Sequence, residues 1–436
     1  MTDLIIKPTK LKGTVNVPPS KSMAHRAIIS ACLAEGKSVI RNIDLSDDII
    51  ATIEGMKAFG STIDTFDDGT RKRLEIEGAP LNQASENRLI DANESGSTLR
   101  FFIPIATLFK GETRFIGRGQ LGARPLDTFE KIFKAQGLLY KPSGTSKLDL
   151  TVEGPLTAGR YEMPGNISSQ FITGLLFTLP LLEGESEIVI TTDLESVGYL
   201  ELTLEVLTDF GIQIDYDKKK QVFSIPGNQS YQSQNYTVEG DYSQAAFFLS
   251  AGALGNDVVV TGLKQDSNQG DKGILHILEQ LNAVLKVKED TVAVTAPDGL
   301  EGDVIIDGAQ VPDIIPISAL VASLSPGKTK IINLKRLRIK ESDRLEATKE
   351  ELEKLGANIQ VVGDELHIQG VSKLQGNSIG WSHQDHRMAM MLAIASTICE
   401  EEIVVRDADY VSKSYPTFWK EFEALGGRIS EWNMGK

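Results

Sequence analysis

The sequence predicts an α/β protein of two domains, built from six copies of one module of strands and helices. Two series of short segments support this prediction, because both recur at intervals of 70 to 77 residues along the 436-residue chain. The length also favours two domains, since a single hydrophobic core rarely organises more than about 250–300 residues. Six modules in two domains give three modules to each domain.

The first series of segments marks the ends of amphipathic helices. Each copy closes a helix with glycine, or once with asparagine, and then enters a strand. These two residue types accept the left-handed backbone that ends many helices, so each marker is predicted to be a C-cap. The marker residues are Gly60, Gly137, Gly211, Asn282, Gly356 and Gly426.

The second series marks the starts of strongly apolar helices. Segments such as SSQFITGLLFTLPLL and DHRMAMMLAIAS have almost no polar face beyond the first turn, which is typical of buried helices. Each module is therefore predicted to contain a strand, a helix, a strand, a helix and a strand pair, with the apolar helix at the domain centre. The predicted helix starts are Ser20, Ser95, Ser168, Tyr242, Asp313 and Asp385.

Composition excludes several classes of protein. The formal charge of −15 argues against nucleic acid or an anionic membrane as a partner of the whole surface. Cys32 and Cys399 each lie in an apolar helical run, which favours buried thiols in a reducing cytoplasm over a disulfide. The start MTDLIIKPTKLKG lacks the apolar stretch of a signal peptide, and GLLFTLPLL is too short to span a bilayer. We therefore expect a cytoplasmic protein.

Cations collect where helices begin, as in PPSKSMAHRAII with Lys21 and Arg26. One cation near a helix end is usually solvated surface, and at an N-terminus it is slightly unfavourable. Repetition changes this interpretation, because equivalent helix ends bring several cations and backbone N–H groups to one surface, which suits phosphates and carboxylates. The candidate residues of the apolar helices are Lys21, Ser22, Arg26, Gly96, Arg100, Ser168, Ser169, Gln170, Asp313, Asp385, His386 and Arg387. Those of the other helices are Arg124, Ser196, Tyr199, Lys340, Glu341, Arg344 and Lys413.

Rival motifs are weaker. AEGKSVI resembles the end of a phosphate-binding P-loop, but Ala31 stands where that motif requires a glycine. His383 and His386 are suitable metal ligands, yet the sequence suggests no third ligand, so no metal is predicted. The polar stretch VFSIPGNQSYQSQNYTVEGD ends the third module and predicts a domain crossing near residues 227–241.

The motifs PPSKSMAHRAII, GARPL, NISSQFITGLL, QVPDIIP, RIKESDRL and DHRMAM resemble, in order, those of the 5-enolpyruvylshikimate-3-phosphate synthase (EPSP synthase) family. The resemblance covers the whole chain and implies a two-domain inside-out α/β barrel with the active site in the cleft between its halves. It also implies that the N-terminal strand joins the C-terminal half. The expected domains are then 21–239, and 1–20 with 240–436, with crossings near 18–21 and 227–241.

The resemblance implies transfer of the enolpyruvyl group of phosphoenolpyruvate to the 5-hydroxyl of shikimate 3-phosphate by addition and elimination, with release of phosphate. It further implies a monomeric enzyme of the shikimate pathway without metal or organic cofactor, in a family targeted by glyphosate. One alternative is the related UDP-N-acetylglucosamine enolpyruvyl transferase, which typically has a cysteine in the loop that corresponds to Gly117–Pro125, where this chain has none. Another is a non-catalytic anion-binding homologue, against which the intact Asp313, Lys340 and Glu341 argue.

The resemblance also implies residue roles. Asp313 would be the base at the sugar hydroxyl, Glu341 the acid–base at the methylene carbon, and Lys21 would share either proton. The residues implied to bind shikimate 3-phosphate are Lys21, Ser22, Arg26, Ser168, Ser169, Gln170, Ser196, Tyr199, Asp313 and Lys340. Those implied to bind phosphoenolpyruvate are Lys21, Gly96, Arg124, Gln170, Arg344, Arg387 and Lys413. This chain departs from the family pattern at two positions. Many family members have asparagine where this chain has Glu94, and some have asparagine where it has Arg336.

Overall fold

The computed structural model describes residues 2–79, 87–143 and 147–432. The chain forms two compact units. Residues Lys21–Val238 form one, here called the insert unit, and Met1–Ser20 with Glu239–Lys436 form the other, the terminal unit. Each unit has its own buried hydrophobic core. No helix among the described residues is both long enough and apolar enough to cross a membrane.

The helices are α1 Lys21–Leu33, α2 Asp47–Ala58, α3 Gly96–Ala106, α4 Asp127–Ala135, α5 Ser169–Thr178, α6 Val197–Asp209, α7 Tyr242–Ala253, α8 Gly273–Gln280, α9 Ile315–Ser323, α10 Arg344–Lys354, α11 His386–Ser396 and α12 Phe418–Ala424. The strands are β1 Leu4–Lys7, β2 Lys12–Asn16, β3 Ala34–Glu35, β4 Lys37–Ile43, β5 Thr62–Asp68, β6 Arg71–Glu77, β7 Arg88–Asp91, β8 Thr113–Ile116, β9 Leu139–Pro142, β10 Asp149–Glu153, β11 Arg160–Met163, β12 Ser186–Ile190, β13 Asp215–Asp217, β14 Val222–Ile225, β15 Tyr231–Gln232, β16 Asn235–Thr237, β17 Asp257–Thr261, β18 Val284–Lys288, β19 Thr291–Thr295, β20 Ile305–Asp307, β21 Lys328–Ile332, β22 Asn358–Val362, β23 Glu365–Gln369, β24 Ser378–Trp381, β25 Ile403–Arg406 and β26 Arg428–Glu431.

The predicted α/β module is confirmed in the sheets. Within the described residues each unit contains three four-stranded sheets. Module two shows the pattern: β7 pairs parallel with β8, and β8 and β9 flank β10 in antiparallel pairings. The helix between β7 and β8 is α3, and α4 follows β8. A parallel pair needs such a crossover helix, whereas the last two strands form an antiparallel pair.

Three sheets take a strand from a distant part of the chain. Strand β16 pairs parallel with β4 and so supplies the first strand of module one. Strand β2 pairs parallel with β17 and supplies the first strand of module four. Strand β1 lies between β25 and β26 and completes module six. Both N-terminal strands therefore belong to sheets of the terminal unit.

The predicted left-handed helix ends are confirmed by their backbone angles, although each marker is the residue after the C-cap rather than the C-cap itself. Gly60, Gly137 and Gly211 have φ values of 109°, 67° and 83°, and Asn282, Gly356 and Gly426 have values of 67°, 96° and 97°. All six lie in the left-handed region, which residues other than glycine and asparagine adopt less often.

The apolar helices begin close to the predicted residues. Ser95, Ser168 and Asp385 are N-caps whose side chains accept hydrogen bonds from backbone N–H groups of α3, α5 and α11. The start predicted at Asp313 is instead a 3₁₀ turn, and α9 begins two residues later. Pro316 explains the delay, because it has no N–H to donate to the carbonyl of residue 312.

These helices are buried as predicted. Both cysteines are buried too, but only Cys32 lies in a helix, because α11 ends at Ser396 and Cys399 forms an isolated β-bridge with Leu374. Every residue of α7, α9 and α11 is buried. Burial raises the pKa of the Cys32 and Cys399 thiols to about 12.

Candidate active site

Most site residues of the insert unit lie near the N-terminal ends of α1, α3, α5 and α6, and Arg124 lies in the loop before α4. Lys21, the first residue of α1, donates from Nζ to Oδ2 of Asp48 at 2.7 Å. The side chains are 17% and 5% exposed, so this ion pair is largely removed from water. Asp48 lies in the first turn of α2. The sequence analysis missed this partner, because only the packing of α2 beside α1 brings it there.

Arg26 ties α1 to α6 from within the core. Its Nε donates to Oγ1 of Thr203 at 2.8 Å, and its Nη groups donate to the backbone oxygens of Ser22 at 2.6 Å and Tyr199 at 2.9 Å. Burial lowers the pKa of Arg26 to about 10. The structure therefore brings Arg26, Ser22 and Tyr199 together, with the guanidinium fixing the two segments that carry the other two residues.

Gly96, Arg124 and Gln170 meet at one point. A methyl group on Gly96 would lie 2.8 Å from Nη1 of Arg124 and 3.4 Å from Oε1 of Gln170. Arg100 orients the amide of Gln170, because its Nη1 donates to Oε1 at 2.8 Å. The amide nitrogen of Gln170 in turn donates to Oγ of Ser97 at 2.9 Å. The sequence marked Arg100 only as a cation at a helix start, and the structure gives it this role.

The serines of the insert unit lie at two helix starts. Ser168 is the N-cap of α5, and the buried Ser169 is the first residue of that helix. Ser196 precedes α6 and is fully buried with φ of 56°. A serine in the left-handed region is strained, and such strain is concentrated at functional sites.

Glu94 lies against the loop that carries Arg124. A methyl group on Gly119 would lie 2.6 Å from a carboxylate oxygen of Glu94. The loop is also anchored where Arg118 donates from its backbone N to the carbonyl of Asn93 at 2.7 Å. This departure from the family pattern thus places a carboxylate beside the Gly117–Pro125 loop.

Asp313 is the centre of the cluster in the terminal unit. Its Oδ1 accepts from Nζ of Lys340 at 3.1 Å and from Nη1 of Arg344 at 2.8 Å, and its Oδ2 accepts from Nη2 of Arg387 at 3.2 Å. Burial alone would raise the pKa of Asp313, but Lys340, Arg387 and Arg344 together hold it well below its usual range. Asp313 is therefore an ionised carboxylate at neutral pH.

Arg344 is the most enclosed cation of this cluster, with 1% of its side chain exposed. Its Nε donates to Oδ2 of Asp385 and its Nη2 to Oε2 of Glu341, both at 2.7 Å. Burial opposes its charge, yet Asp385, Glu341 and Asp313 raise the pKa of Arg344 well above its ordinary value. A buried cation needs such partners, so Asp385 balances Arg344 as well as capping α11.

Lys340 differs from its neighbours in holding its proton less tightly. Burial lowers the pKa of Lys340, Asp313 raises it, and the positive charges of Arg336 and Arg344 lower it further. Arg336 is itself buried, with 7% exposed. The second departure from the family pattern therefore adds a cation near a predicted site lysine.

Arg387, Lys413 and His386 are buried in the terminal unit. Arg387 donates from Nη1 to the carbonyl of Ser243 at 3.2 Å and from Nη2 to Oγ of the same serine at 3.0 Å. Ser243 is held by Asp241, the N-cap of α7. The sequence analysis missed Ser243, although it lies at the equivalent helix start of module four.

His25 is a structural residue of the insert unit. It is fully buried, and its Nδ1 and the hydroxyl of Thr52 form a 2.7 Å hydrogen bond. Burial lowers the pKa of His25 to about 3, against the opposing effect of Asp48. His25 is therefore neutral at physiological pH.

Among the described residues, one group of three side chains has the residue types and spacing that could hold a metal ion. Donor atoms of Glu350, Glu351 and His383 lie within 4.8 Å of one another. Nζ of Lys354 lies 2.8 Å from carboxylate oxygens of both Glu350 and Glu351. The ammonium group of Lys354 therefore already supplies a positive charge beside these two carboxylates.

Comparisons with known proteins find the same family from the family model, from curated relatives and from solved structures. The family model described as EPSP synthase (3-phosphoshikimate 1-carboxyvinyltransferase) matches residues 5–422. A curated 3-phosphoshikimate 1-carboxyvinyltransferase from Clostridium beijerinckii is 54% identical over 442 residues, covering 100% of both chains. One from Clostridioides difficile is 53% identical over 445 residues, also covering 100% of both. A solved EPSP synthase from Acinetobacter baumannii has the same fold, with a TM-score of 0.80, 23% identity, and coverage of 99% of this chain and 100% of that chain.

Proposed function

Because the chain belongs to the EPSP synthase (3-phosphoshikimate 1-carboxyvinyltransferase) family, we propose that it transfers the enolpyruvyl group of phosphoenolpyruvate to the 5-hydroxyl of shikimate 3-phosphate, with release of phosphate. The observation that carries the proposal is the cluster around Asp313. There, three cations and the carboxylate of Glu341 are linked by hydrogen bonds of 2.7 to 3.2 Å. Such a cluster can both bind anions and move protons.

The reaction needs an acid and a base. In the addition step the 5-hydroxyl oxygen attacks C2 of phosphoenolpyruvate and loses its proton, while C3 gains a proton and becomes a methyl group. In the elimination step the methyl group returns a proton and the C2–O bond to phosphate breaks. Proton transfer by positioned side chains typically contributes about 10²–10⁴-fold to rate.

Asp313 is the proposed base at the 5-hydroxyl. In the unliganded protein the three cations hold its pKa so low that the carboxylate is a weak base. A substrate anion that binds Arg387 and Lys340 competes with Asp313 for their charge. Binding therefore weakens the hold of these cations on Asp313 and raises its basicity when the hydroxyl is in place.

Glu341 is the proposed acid–base at the methylene carbon. Its Oε2 accepts from the almost fully buried Arg344, while 14% of the Glu341 side chain remains exposed. Lys340, whose pKa burial lowers, and Lys21, which pairs with Asp48, are the further proton donors that we propose.

The substrate assignments that the resemblance implies are proposed for both units. Those for shikimate 3-phosphate are Lys21, Ser22, Arg26, Ser168, Ser169, Gln170, Ser196, Tyr199, Asp313 and Lys340. Those for phosphoenolpyruvate are Lys21, Gly96, Arg124, Gln170, Arg344, Arg387 and Lys413. The meeting of Arg124 and Gln170 at Gly96 supports the second set. Arg26 donates to the backbone oxygens of Ser22 and Tyr199, which supports a role in positioning these two residues for shikimate 3-phosphate.

We further propose that the enzyme acts in the cytoplasm as a monomer and needs no metal or organic cofactor. The two buried thiols are compatible with a reducing compartment. Sedimentation of the purified protein would test the oligomeric state.

The test of the reaction is phosphate release from phosphoenolpyruvate. We expect release with shikimate 3-phosphate as acceptor and none with UDP-N-acetylglucosamine. Release with the nucleotide sugar alone would assign the chain to the related transferase. Binding of both anions without release would make it a non-catalytic homologue.

A further inference from the structure

A buried carboxylate that the proposed chemistry does not use holds the turn leading into α11. Glu351 of α10 has no exposed side-chain surface. Its Oε2 accepts from the backbone N–H of Trp381 at 3.0 Å, and its Oε1 accepts from Nε2 of His383 at 2.7 Å and from Nζ of Lys354 at 2.8 Å. One side chain thus anchors both the end of β24 and the turn that follows it.

That turn is strained. His383 and Gln384 have φ values of 52° and 56°, so two successive residues other than glycine adopt the left-handed conformation. The turn closes where Asp385 donates from its backbone N to the carbonyl of Ser382 at 2.9 Å. Backbone strain of this kind persists only where surrounding contacts enforce it.

The equivalent turn of module two is built differently. There Ser95 donates from its backbone N to the carbonyl of Ala92 at 2.8 Å, and only Asn93 between them is left-handed, with φ of 49°. Asparagine tolerates this conformation because its short polar side chain can hydrogen-bond locally, whereas glutamine, the second left-handed residue of module six, rarely adopts it. The turn of module six therefore needs a hold from outside itself, and Glu351 supplies one.

The strained turn ends at Asp385, which places two arginines. Its carboxylate caps α11 at the N–H of Arg387 and accepts from Nε of Arg344. Both guanidiniums also donate to Asp313. A shift of the turn would therefore move Asp385, and with it both arginines.

We propose that Glu351 is a positioning residue, which holds residues 381–384 so that Asp385 keeps Arg344 and Arg387 directed at Asp313. The consequence for phosphoenolpyruvate rests on the proposed function. The consequence for the turn itself does not, because it depends only on the contacts of Glu351.

The test compares Glu351→Gln with Glu350→Gln. Glu350 is the adjacent, exposed residue of α10 and pairs with the same Lys354, so its variant controls for that ion pair. We expect Glu351→Gln to raise the KM for phosphoenolpyruvate about tenfold to a hundredfold, as misplaced binding groups do. The KM for shikimate 3-phosphate should stay near that of the wild type, and Glu350→Gln should change neither.

Hydrogen–deuterium exchange of the unliganded protein is the second measurement. Glu351→Gln should speed exchange in residues 381–387 and leave α9 unchanged. His383→Asn tests the same turn if Glu351→Gln does not fold, because asparagine tolerates the left-handed conformation but is too short to replace the donor of His383. We expect a smaller change in the same direction.

Two results would overturn the proposal. One is unchanged exchange at 381–387 in every variant that folds. The other is faster exchange, or a lower melting temperature, without a selective rise in the phosphoenolpyruvate KM, which would make Glu351 merely structural. If the wild type shows no turnover, the proposed function fails, and the exchange data alone decide whether Glu351 holds the turn.

Discussion

The two units hold their buried site arginines through different acceptors, although Lys21 of the insert unit does pair with the carboxylate of Asp48. In the insert unit, Arg26 and Arg100 donate to neutral oxygens of backbone, hydroxyl and amide groups. In the terminal unit, Arg344 and Arg387 donate to carboxylates, and Asp313 accepts from both. The neutral oxygens around Arg26 do not offset its positive charge, whereas the carboxylates around Arg344 and Arg387 do.

This difference separates two tasks. Cations that donate to neutral oxygens, together with serine hydroxyls, suit the steady binding of a phosphate group. A cluster of compensated charges can instead redistribute protons when a ligand anion enters, because each carboxylate gains basicity as its cation turns to the ligand. We therefore expect loss of a carboxylate of the terminal unit to lower turnover most, and loss of a site cation in either unit to weaken binding.

The largest expected effect is that of Glu341→Gln. The substitution keeps shape and hydrogen bonding but removes the titratable proton, so turnover should fall about 10²–10⁴-fold while both substrates still bind. Steady-state kinetics and equilibrium binding would measure the two quantities. Glu346→Gln is the control, because Glu346 is exposed on α10 and pairs with Arg338. Near-normal turnover of Glu341→Gln would leave Lys21 as the stronger candidate.

The alanine variants of Arg387, in the terminal unit, and of Arg124, in the insert unit, test the contrast between the two units. From sequence alone, neither arginine benefits the fold, so unliganded stability should stay level or rise in both alanine variants. The structure corrects this expectation for Arg387, which is 3% exposed and donates to Ser243 and Asp313.

We expect each alanine variant to bind phosphoenolpyruvate about tenfold to a hundredfold more weakly, as loss of a charge-assisted hydrogen bond of about 1.5–3 kcal/mol requires. Arg387→Ala should also lower the free energy of unfolding by about 3 kcal/mol, because Asp313 loses a buried partner. Urea denaturation would show whether only Arg387→Ala is destabilised. Equal stability of both variants would contradict the contrast between the units.

Burial of His25 predicts that the stability of the insert unit depends on pH. Its folded pKa is about 3, against an ordinary value of 6.5, so below pH 6.5 the unfolded chain binds a proton that the folded chain does not. Stability should therefore fall as pH drops from 6.5, by about 1.4 kcal/mol for each pH unit. His25→Asn should flatten this slope between pH 6.5 and 5, whereas the exposed His276→Asn should not.

The smallest expected effect is that of Gly96→Ala. The added methyl would lie 2.8 Å from Nη1 of Arg124, the mobile end of a long side chain, so the fold should tolerate it. The displaced guanidinium should weaken phosphoenolpyruvate binding by about 1 kcal/mol, which is less than its complete loss costs. Calorimetric titration would measure the change. A melting temperature well below that of the wild type would show that the methyl disturbs packing instead.

Local features of the sequence predicted much of the fold. The glycine or asparagine after each amphipathic helix specifies a left-handed cap, and all six adopt it. The buried helices follow from their unbroken apolar runs, and the buried Cys32 thiol follows from its place in such a run. These features are predictable because each depends on a residue and its near neighbours along the chain.

The tertiary structure alone decided how distant residues meet. Strand pairing is not local, so the exchange of β16, β2 and β1 into other modules is invisible in the repeat pattern. Cations at helix starts indicated anion binding, but not that Arg344 is neutralised by Asp385 or that Glu351 supports a strained turn. Burial and the distance between charges determine these properties, and both are products of packing rather than of sequence spacing.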